Sequence, residues 1–155
     1  MGWTLTSQAF TQGSPIPRQH TADGPGLSPP LSWTAPPDAT VSLCLVVEDP
    51  DAPGGTWCHW LVYDMPAGAR SLAQGTLRVR NLPDGSRQGV NDFGRLGWGG
   101  PSPPPGPAHR YVLRLLALDV RLGLPGSERR DRVLGAAAGH VLAETRLIGT
   151  YGRRG

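Results

Sequence analysis

The sequence predicts a loop-rich, mostly β protein, and both its composition and its apolar pattern lead to this expectation. Of the 155 residues, 22 are glycine and 17 are proline, and because both residues disfavour helix interiors, long helices cannot form the main scaffold. Leu, Ile, Val and Phe still supply 33 residues and the formal net charge is only +3, which argues against a disordered chain. The two strongest apolar runs have the length and composition of buried strands. The chain is long enough to bury a core, and we expect a single domain over residues 1–155.

The first half of the chain is predicted to contain four strands and a long coil. Residues 4–10 alternate polar and apolar side chains, which predicts an edge strand. Residues 11–30 carry five prolines, which remove hydrogen-bond donors, so this stretch should run over the surface as coil. A short strand over residues 31–33 precedes the strongest signal, at 41–48, whose nearly continuous apolar character predicts burial on both faces. An Asp, Pro and Gly turn then leads into a neighbouring strand over residues 57–65.

The middle of the chain combines weak strand signals with one long loop. Residues 77–79 and 88–93 are weaker strand candidates on either side of a Pro-Asp-Gly turn. Residues 94–108 hold five glycines and five prolines, and a loop of that length inside a compact domain is more often functional than a mere connector. Residues 110–119 form the second strong strand signal.

The C-terminal part is predicted to hold one short helix and a last strand. Ser127 is a candidate N-cap, and apolar residues recur at helical spacing over residues 132–143. Residues 145–151 read as the final strand, and residues 152–155 as a frayed tail.

Charge and cysteine usage exclude several classes of protein. Seven arginines lie in residues 121–155 against three acidic residues, but the dense stripe and interleaved aromatics of a nucleic-acid binder are missing, so we expect no nucleic-acid partner. Cys44 and Cys58 fit no metal-binding spacing and do not make a disulfide framework. No apolar run approaches the length of a membrane span, and the first six residues lack the pattern of a signal peptide. A cytoplasmic location is therefore the expectation.

Three ionisable residues stand at the ends of the best strands. Asp49 follows the strand at 41–48, His59 lies near the start of the next strand, and His109 precedes the strand at 110–119. If these strands are neighbours in one sheet, the three side chains gather around one pocket at its end. Strand alternation places Trp57 and His59 on one face, with Cys58 and Trp60 on the other.

The residues alone leave three chemistries open for this pocket. A cysteine hydrolase would need Cys58 to meet His109, because alternation separates it from His59. Two histidines and a carboxylate could instead hold zinc or iron, although no ligand pair sits at a spacing that strand or helix geometry would bring together. The third reading is an anion pocket, in which imidazoles and the backbone N–H groups of Gly99 and Gly100 donate hydrogen bonds. Asp49 would accept from one imidazole and leave its other nitrogen for the ligand.

Several motifs together resemble a known family. They are D-P-D-A-P at 49–53, W-C-H-W at 57–60, and the stretch 99–111 that begins G-G-P and ends H-R-Y, with supporting segments at 16–17, 23–24, 28–33, 139–144 and 149–151. This pattern resembles the phosphatidylethanolamine-binding protein family, and more narrowly its bacterial Raf kinase inhibitor-like members. The resemblance covers essentially the whole chain.

The resemblance implies a β-sandwich with a large central antiparallel sheet, one or two short helices, and a rigid pocket for phosphate-like anions or phosphorylated headgroups. The family pattern maps the ligand-binding pocket onto Asp49, Pro53, Trp57, His59, Gly99, Gly100, Pro101, Pro103, His109 and Tyr111. Trp98 and Ser102 depart from the bacterial pattern, and both are expected to reshape the pocket rim.

The function predicted from these residues is non-catalytic anion binding without a cofactor or a bound metal. Two alternatives remain open. One is an inhibitor or regulatory protein that docks a phosphorylated or acidic segment of a protein partner; the other is a cryptic hydrolase or metal enzyme. The resemblance to bacterial members also allows a homodimer, although no surface stripe in the sequence marks an interface.

Overall fold

Two antiparallel sheets and one short helix make up the fold, in a computed structural model that describes residues 2–154. Met1 and Gly155 lie outside the described residues. In chain order the elements are β1 (Leu5–Thr6), a 3-10 turn (Arg18–His20), β2 (Leu31–Trp33), β3 (Ser42–Asp49), β4 (Trp57–Pro66), β5 (Ser71–Leu72), β6 (Arg87–Gln88), β7 (His109–Leu118), α1 (Arg130–Ala137) and β8 (Val141–Tyr151). The large sheet has the order β6-β4-β3-β7-β8 and the small one β1-β2-β5. The predicted mostly β fold with a large antiparallel sheet is confirmed.

The central strand β3 is buried on both faces, as its sequence predicts. Every residue from Ser42 to Asp49 is buried, because each face of the sheet packs against a separate apolar layer. Leu43, Leu45 and Val47 point to the layer that includes β1, β2 and β5. Cys44 and Val46 point the other way, to the layer that includes α1. This alternation is the period of two expected of a strand.

The topology brings one end of β3 beside the beginnings of β4 and β7. Both neighbours pair antiparallel with β3, so Asp49 lies opposite Trp57, and Glu48 lies opposite Val112. In an antiparallel sheet the end of one strand lies beside the starts of its neighbours. The predicted neighbour relation between these strands is therefore present, and it sets the place of the site.

Three sequence-based strand boundaries need correction. The predicted strand over residues 4–10 is reduced to Leu5–Thr6, and only Arg87–Gln88 is strand near the predicted segment 88–93. Residues 77–79 form no strand, because the carbonyls of Leu77 and Val79 accept hydrogen bonds from the side-chain amide of Gln88 instead of a backbone ladder.

The C-terminal helix is shorter than predicted and begins later than its predicted cap. It spans Arg130–Ala137 with Arg129 at the N-cap, whereas Ser127 has a positive φ of 73° and does not cap it. Gly139 adopts the left-handed conformation at φ 82°, which ends a helix readily. Residues 141–143, predicted as helix, instead begin β8 and pair with the end of β7.

The tail beyond β8 is held rather than frayed as far as Arg153. Its guanidinium donates to Asp23 Oδ1 at 2.7 Å and to the Pro103 carbonyl at 3.1 Å. Its carbonyl accepts the N–H of Gly106 at 3.0 Å. The last predicted tail residue, Gly155, lies outside the described residues. No helix within residues 2–154 has both the length and the apolar character needed to cross a membrane.

Candidate functional site

The side chains at the ends of β3, β4 and β7 surround one small cavity. Asp49, His59 and His109 all line it, and its volume is about 220 Å³. Tyr111 also lines this histidine cavity, together with Pro53, Trp57 and Pro103. The two imidazoles, 50 positions apart in the chain, therefore converge as the sequence predicts.

Asp49 is fixed through both carboxylate oxygens. Oδ2 accepts a hydrogen bond from His109 Nδ1 at 2.7 Å, and Oδ1 accepts the backbone N–H of Asp51 at 2.8 Å. Both partners of the Asp49–His109 pair are buried, at 4% and 9% exposure. Since a carboxylate only accepts, the His109 proton must sit on Nδ1, which leaves Nε2 as the nitrogen available to a ligand.

A second ion pair fixes the turn that follows Asp49. Asp51 accepts bonds from the backbone N–H, Nε and Nη2 of Arg110 at 2.8, 3.0 and 2.9 Å. This hydrogen-bonded guanidinium lowers the pKa of Asp51 to about 2. The turn is therefore tied to the residue after His109, so Asp49 and His109 are held together from two directions.

His59 is held by a reciprocal contact with the glycine-rich loop. Its Nδ1 donates to the Gly99 carbonyl at 2.6 Å, while the Gly99 N–H donates to the His59 carbonyl at 2.8 Å. His59 is only 3% exposed, and this burial lowers the pKa of its imidazole below the usual value. His59 thus also has its proton on Nδ1 and presents an unprotonated Nε2 in the neutral state.

A β-bulge at His59 changes which residues share a face. Val47 pairs with Trp60 and Glu48 pairs with Cys58, so His59 is the extra residue between them. Trp60 packs in the layer facing the small sheet, whereas Cys58 packs in the layer facing α1. The predicted sharing of one face by Cys58 and Trp60 is therefore wrong, because simple alternation does not survive a bulge.

Tyr111 lies between the two imidazoles. Its ring centroid is 5.2 Å from that of His59, edge to face, and 6.5 Å from that of His109, roughly parallel. Its hydroxyl is buried without a hydrogen-bond partner among residues 2–154. Burial raises the pKa of this phenol, so it remains a neutral group at the base of the site.

Phe93 forms a wall of the histidine cavity. The sequence predicted only that this residue belongs to a weak strand. Its ring packs edge-on against Trp57 at 5.5 Å and against His59 at 5.4 Å. The turn that presents it is built by Asn91, whose side-chain oxygen accepts the N–H groups of Phe93 and Arg95. An aromatic residue directly after Asn-Asp and before Gly was the only sequence signal for this role.

The predicted loop residues divide between two cavities. Pro103 lines the histidine cavity, whereas Gly99 and Gly100 line a neighbouring cleft of about 470 Å³. Pro101 is buried, lines neither space, and accepts the Ala22 N–H through its carbonyl. The prediction that the Gly99 N–H serves a bound anion is wrong, because that N–H already bonds to His59.

The two departures from the bacterial pattern have different positions. Ser102 is exposed and lines both cavities, so it does lie on the rim as expected. Trp98 is buried against Trp60 at 5.6 Å and donates from Nε1 to the His20 carbonyl at 3.0 Å. The expectation that Trp98 reshapes the rim of the histidine cavity is therefore wrong, since it supports the neighbouring cleft from the core.

The geometry gives little support to the two rival chemistries. Cys58 is fully buried and burial raises its pKa to about 12, which disfavours the thiolate that a nucleophile needs. Its Sγ lies 3.9 Å from the Trp60 carbonyl, on the face away from the imidazoles. Residues 2–154 contain no group of three or more His, Cys, Asp or Glu side chains placed to hold a metal ion.

Comparison with known proteins identifies relatives along nearly the whole chain. A UPF0098 protein from Methanothermobacter thermautotrophicus is 48% identical over 152 residues, covering 97% of this chain and 99% of the relative. A Mycobacterium tuberculosis protein named as a lipoprotein, LppC, is 38% identical over 149 residues, covering 96% of this chain and 71% of that protein. Because one relative carries that name, the cytoplasmic location stays a prediction.

Solved structures and a family model agree with these relatives. A phosphatidylethanolamine-binding protein homologue from Chlamydia trachomatis superposes with a TM-score of 0.88 at 39% identity, covering 98% of each chain. Escherichia coli YbcL, described as a member of the mammalian PEBP family, gives a TM-score of 0.92 at 30% identity, covering 99% of this chain and 100% of that one. The family model described as phosphatidylethanolamine-binding protein matches residues 6–152. The chain belongs to the phosphatidylethanolamine-binding protein family.

Proposed function

We propose that this protein binds a small phosphate-like anion or the phosphorylated end of a small molecule in the histidine cavity, without converting it chemically. One observation carries the proposal: the two imidazoles that line the cavity both have Nδ1 engaged by protein acceptors. Each ring therefore keeps Nε2 for a ligand. Two protonated Nε2 atoms in one small space would supply two charge-assisted donors to the same anion.

The proposal implies that an anion is bound together with protons. Neutral His59 and His109 offer only lone pairs at Nε2, so a fully ionised anion is bound well only after the rings take up protons. The Asp49 carboxylate lies 2.7 Å from His109 Nδ1, so it would form an ion pair with a His109 ring that takes up a proton on binding. Burial opposes the charged form of His59, and a bound anion would offset that cost.

The walls of the cavity suit a small and partly dehydrated ligand. Pro53, Pro103 and Pro104 supply stiff edges, while Trp57 and Phe93 supply apolar faces. Proline fixes φ, so these edges lose little conformational freedom on binding. Excluding water strengthens hydrogen bonds between the imidazoles and an anion.

The residues of the site favour binding of a ligand without its chemical conversion. Catalysis by Cys58 would require a thiolate near an imidazole, whereas this thiol packs in the layer that faces α1. The Asp49–His109 pair orients a ring toward a ligand, and the residues lining the cavity include no lysine, arginine or cysteine. The hydroxyls of Ser102 and Tyr111 also line the cavity, but within residues 2–154 neither forms a hydrogen bond to His59 or His109. A general base without a hydrogen-bonded nucleophile fits recognition better than group transfer.

A titration with sulfate tests the proposal, because the charge of sulfate does not change near neutral pH, whereas that of a phosphate ester does. We expect sulfate, measured by isothermal calorimetry, to bind more tightly at about pH 5.5 than at about pH 8, because imidazole side chains take up protons as the pH falls. Methyl phosphate and phosphoethanolamine then report whether a phosphate ester is preferred. Equal sulfate affinity at about pH 5.5 and about pH 8, or no binding of any of the three probes, would refute the proposal.

A matched pair of variants localises the binding. His109→Gln removes one imidazole of the cavity, while His140→Gln removes an imidazole that is paired with Asp119 at 2.9 Å outside it. We expect His109→Gln to weaken sulfate binding by roughly tenfold or more at about pH 5.5. Equal effects of the two substitutions would place the bound anion elsewhere.

A further inference from the structure

A larger cleft lies beside the histidine cavity. Its volume is about 470 Å³, and Phe93 and Ser102 line both spaces. The two spaces therefore adjoin each other. Gly99, whose carbonyl holds His59, belongs to the lining of the cleft.

Two arginines and no carboxylate line this cleft. Arg78 and Arg95 supply the charge, and the remaining lining residues are small, aromatic or uncharged. Neither arginine forms an ion pair within residues 2–154. Within residues 2–154, five other arginines with hydrogen-bonded side chains have a carboxylate partner, as Arg110, Arg114 and Arg153 do, and four are bonded only to neutral oxygens.

Arg78 is held in place while part of its guanidinium stays available. Nε donates to the Trp98 carbonyl at 3.1 Å and Nη2 donates to the Gly26 carbonyl at 2.7 Å. Nη1 makes no hydrogen bond to the described residues. Because two backbone carbonyls already hold this side chain, a ligand needs to order it little, and Nη1 of this exposed residue is left to donate to a carboxylate or phosphate.

Arg95 stands on the turn that also presents Phe93. Its backbone N–H is fixed by Asn91 at 3.2 Å, but its exposed side chain makes no hydrogen bond within residues 2–154. Arg95 is therefore available to close onto a group that Arg78 already holds. Gly24, Pro25 and Gly26 also line the cleft, and none of them carries a long side chain.

The sizes of the two spaces point to a ligand that occupies both. The histidine cavity alone, at about 220 Å³, lies below the range of about 300–1,000 Å³ that is typical of small-molecule sites. The cleft adds the missing volume and the missing fixed positive charge. We propose that Arg78 and Arg95 form a second anion subsite, so that the ligand is a small molecule with a phosphate at the histidines and a second acidic group, carboxylate or phosphate, in the cleft.

This inference rests on the proposed function, and paired probes test the two separately. The probes are alkyl monophosphates of increasing chain length, each made once with a terminal carboxylate and once with a terminal hydroxyl. We expect the carboxylate to improve affinity over the hydroxyl partner by about fivefold at one chain length, and by less at shorter ones. Calorimetry at a fixed pH and low ionic strength measures both series.

Arg95→Gln removes a charge that has no structural hydrogen bond to lose. Arg121→Gln is its matched control, since Arg121 is an exposed arginine that lines neither space. Arg95→Gln should abolish the advantage of the carboxylate series and leave the hydroxyl series within about twofold of wild type. Arg121→Gln should leave both series unchanged.

The outcomes separate the failures. If the hydroxyl series binds and depends on His109 but the carboxylate adds nothing at any length, the second subsite is refuted and the proposed function stands. Equal losses from Arg95→Gln and Arg121→Gln would also refute it, because only general charge would be acting. Binding of the carboxylate series that survives His109→Gln would refute the proposed function and, with it, a ligand that spans both spaces. Absence of binding by both series would also overturn both.

Discussion

Replacing Asp49 with asparagine separates the shape of the site from its charge. Asparagine has almost the same shape, and its side-chain oxygen can still accept the Asp51 N–H, which lies 2.8 Å from Oδ1 in the wild type. It cannot offer a second carboxylate oxygen to His109 Nδ1, which lies 2.7 Å from Asp49 Oδ2 in the wild type. The His109 ring must then accept the asparagine N–H at Nδ1 and carry its own proton on Nε2.

The burial of the pair sets the size of the effect. Asp49 is 4% exposed and His109 is 9% exposed, so the weak values measured for exposed ion pairs do not apply. A hydrogen bond to a charged group contributes about 1.5–3 kcal/mol, and about 1.4 kcal/mol corresponds to a tenfold change in affinity. We therefore expect Asp49→Asn to weaken sulfate binding by roughly 10- to 100-fold at about pH 5.5.

The same variant should behave differently at high pH. In their neutral state the wild-type rings present unprotonated Nε2 atoms, whereas Asp49→Asn presents an Nε2–H on His109 without taking up a proton. The loss of affinity should therefore shrink as the pH rises. Calorimetry in two buffers with different ionisation enthalpies should also show that Asp49→Asn takes up fewer protons per bound sulfate than the wild type does.

Asp119→Asn is the control for this experiment, because Asp119 pairs with His140 at 2.9 Å but is 44% exposed in its side chain and lies outside the cavity. It should leave sulfate binding unchanged. An Asp49→Asn protein that folds and keeps the pH dependence of the wild type would refute the reasoning, since the carboxylate would then have no part in the charge of His109.

Three further predictions concern stability and reactivity. Glu48→Gln should lower the free energy of unfolding, measured in urea, by about 3 kcal/mol, because the buried Glu48 carboxylate bonds both Arg114 and Arg130. The side chain of Glu144 is 28% exposed, so Glu144→Gln should lower the free energy of unfolding by less than about 1 kcal/mol. The Arg153 bond lowers the pKa of Asp23 to about 2 from 3.8, so the stability it contributes is present above about pH 4 and lost toward pH 2. The melting temperature of Arg153→Gln should therefore fall less steeply than that of wild type over that interval. Both cysteines should resist a thiol reagent at about pH 8 until the chain unfolds, since burial raises each pKa to about 12.

Each of these has an outcome that contradicts it. Equal destabilisation by Glu48→Gln and Glu144→Gln would show that burial does not set the strength of these pairs. Parallel acid melting curves for wild type and Arg153→Gln would remove Asp23 as a source of acid sensitivity. Rapid labelling of a thiol in the native protein would mean that one of the two layers opens readily.

The strands that the sequence predicted correctly are those with the longest and most apolar runs. The strands around 41–48 and 110–119 are long and apolar, and both are present with boundaries shifted by one residue. The segment 77–79 has apolar alternation but no partner for its backbone, since the Gln88 side chain takes the carbonyls. The apolar residues of 141–143 have helical spacing, but this segment pairs with the edge of β7 and forms strand. Pairing with a distant strand thus overrode weak local preference.

By itself the sequence determined which residues carry the chemistry: the acidic turn after one strong strand, the two histidines beginning its neighbours, and the proline-rich loop between them. These are properties of local runs and of their order along the chain. Only the tertiary structure decided how those groups face each other, through the bulge at His59, the exchange of hydrogen bonds with Gly99, and the placement of Phe93 between two spaces. The physical reason is that each of these depends on hydrogen bonds between residues far apart in the chain, whose register is set by packing of the whole sheet. The turn that carries Phe93, although shaped locally by Asn91, is itself attached to the sheet by the Asp92 N–H, which donates to the Cys58 carbonyl at 2.9 Å.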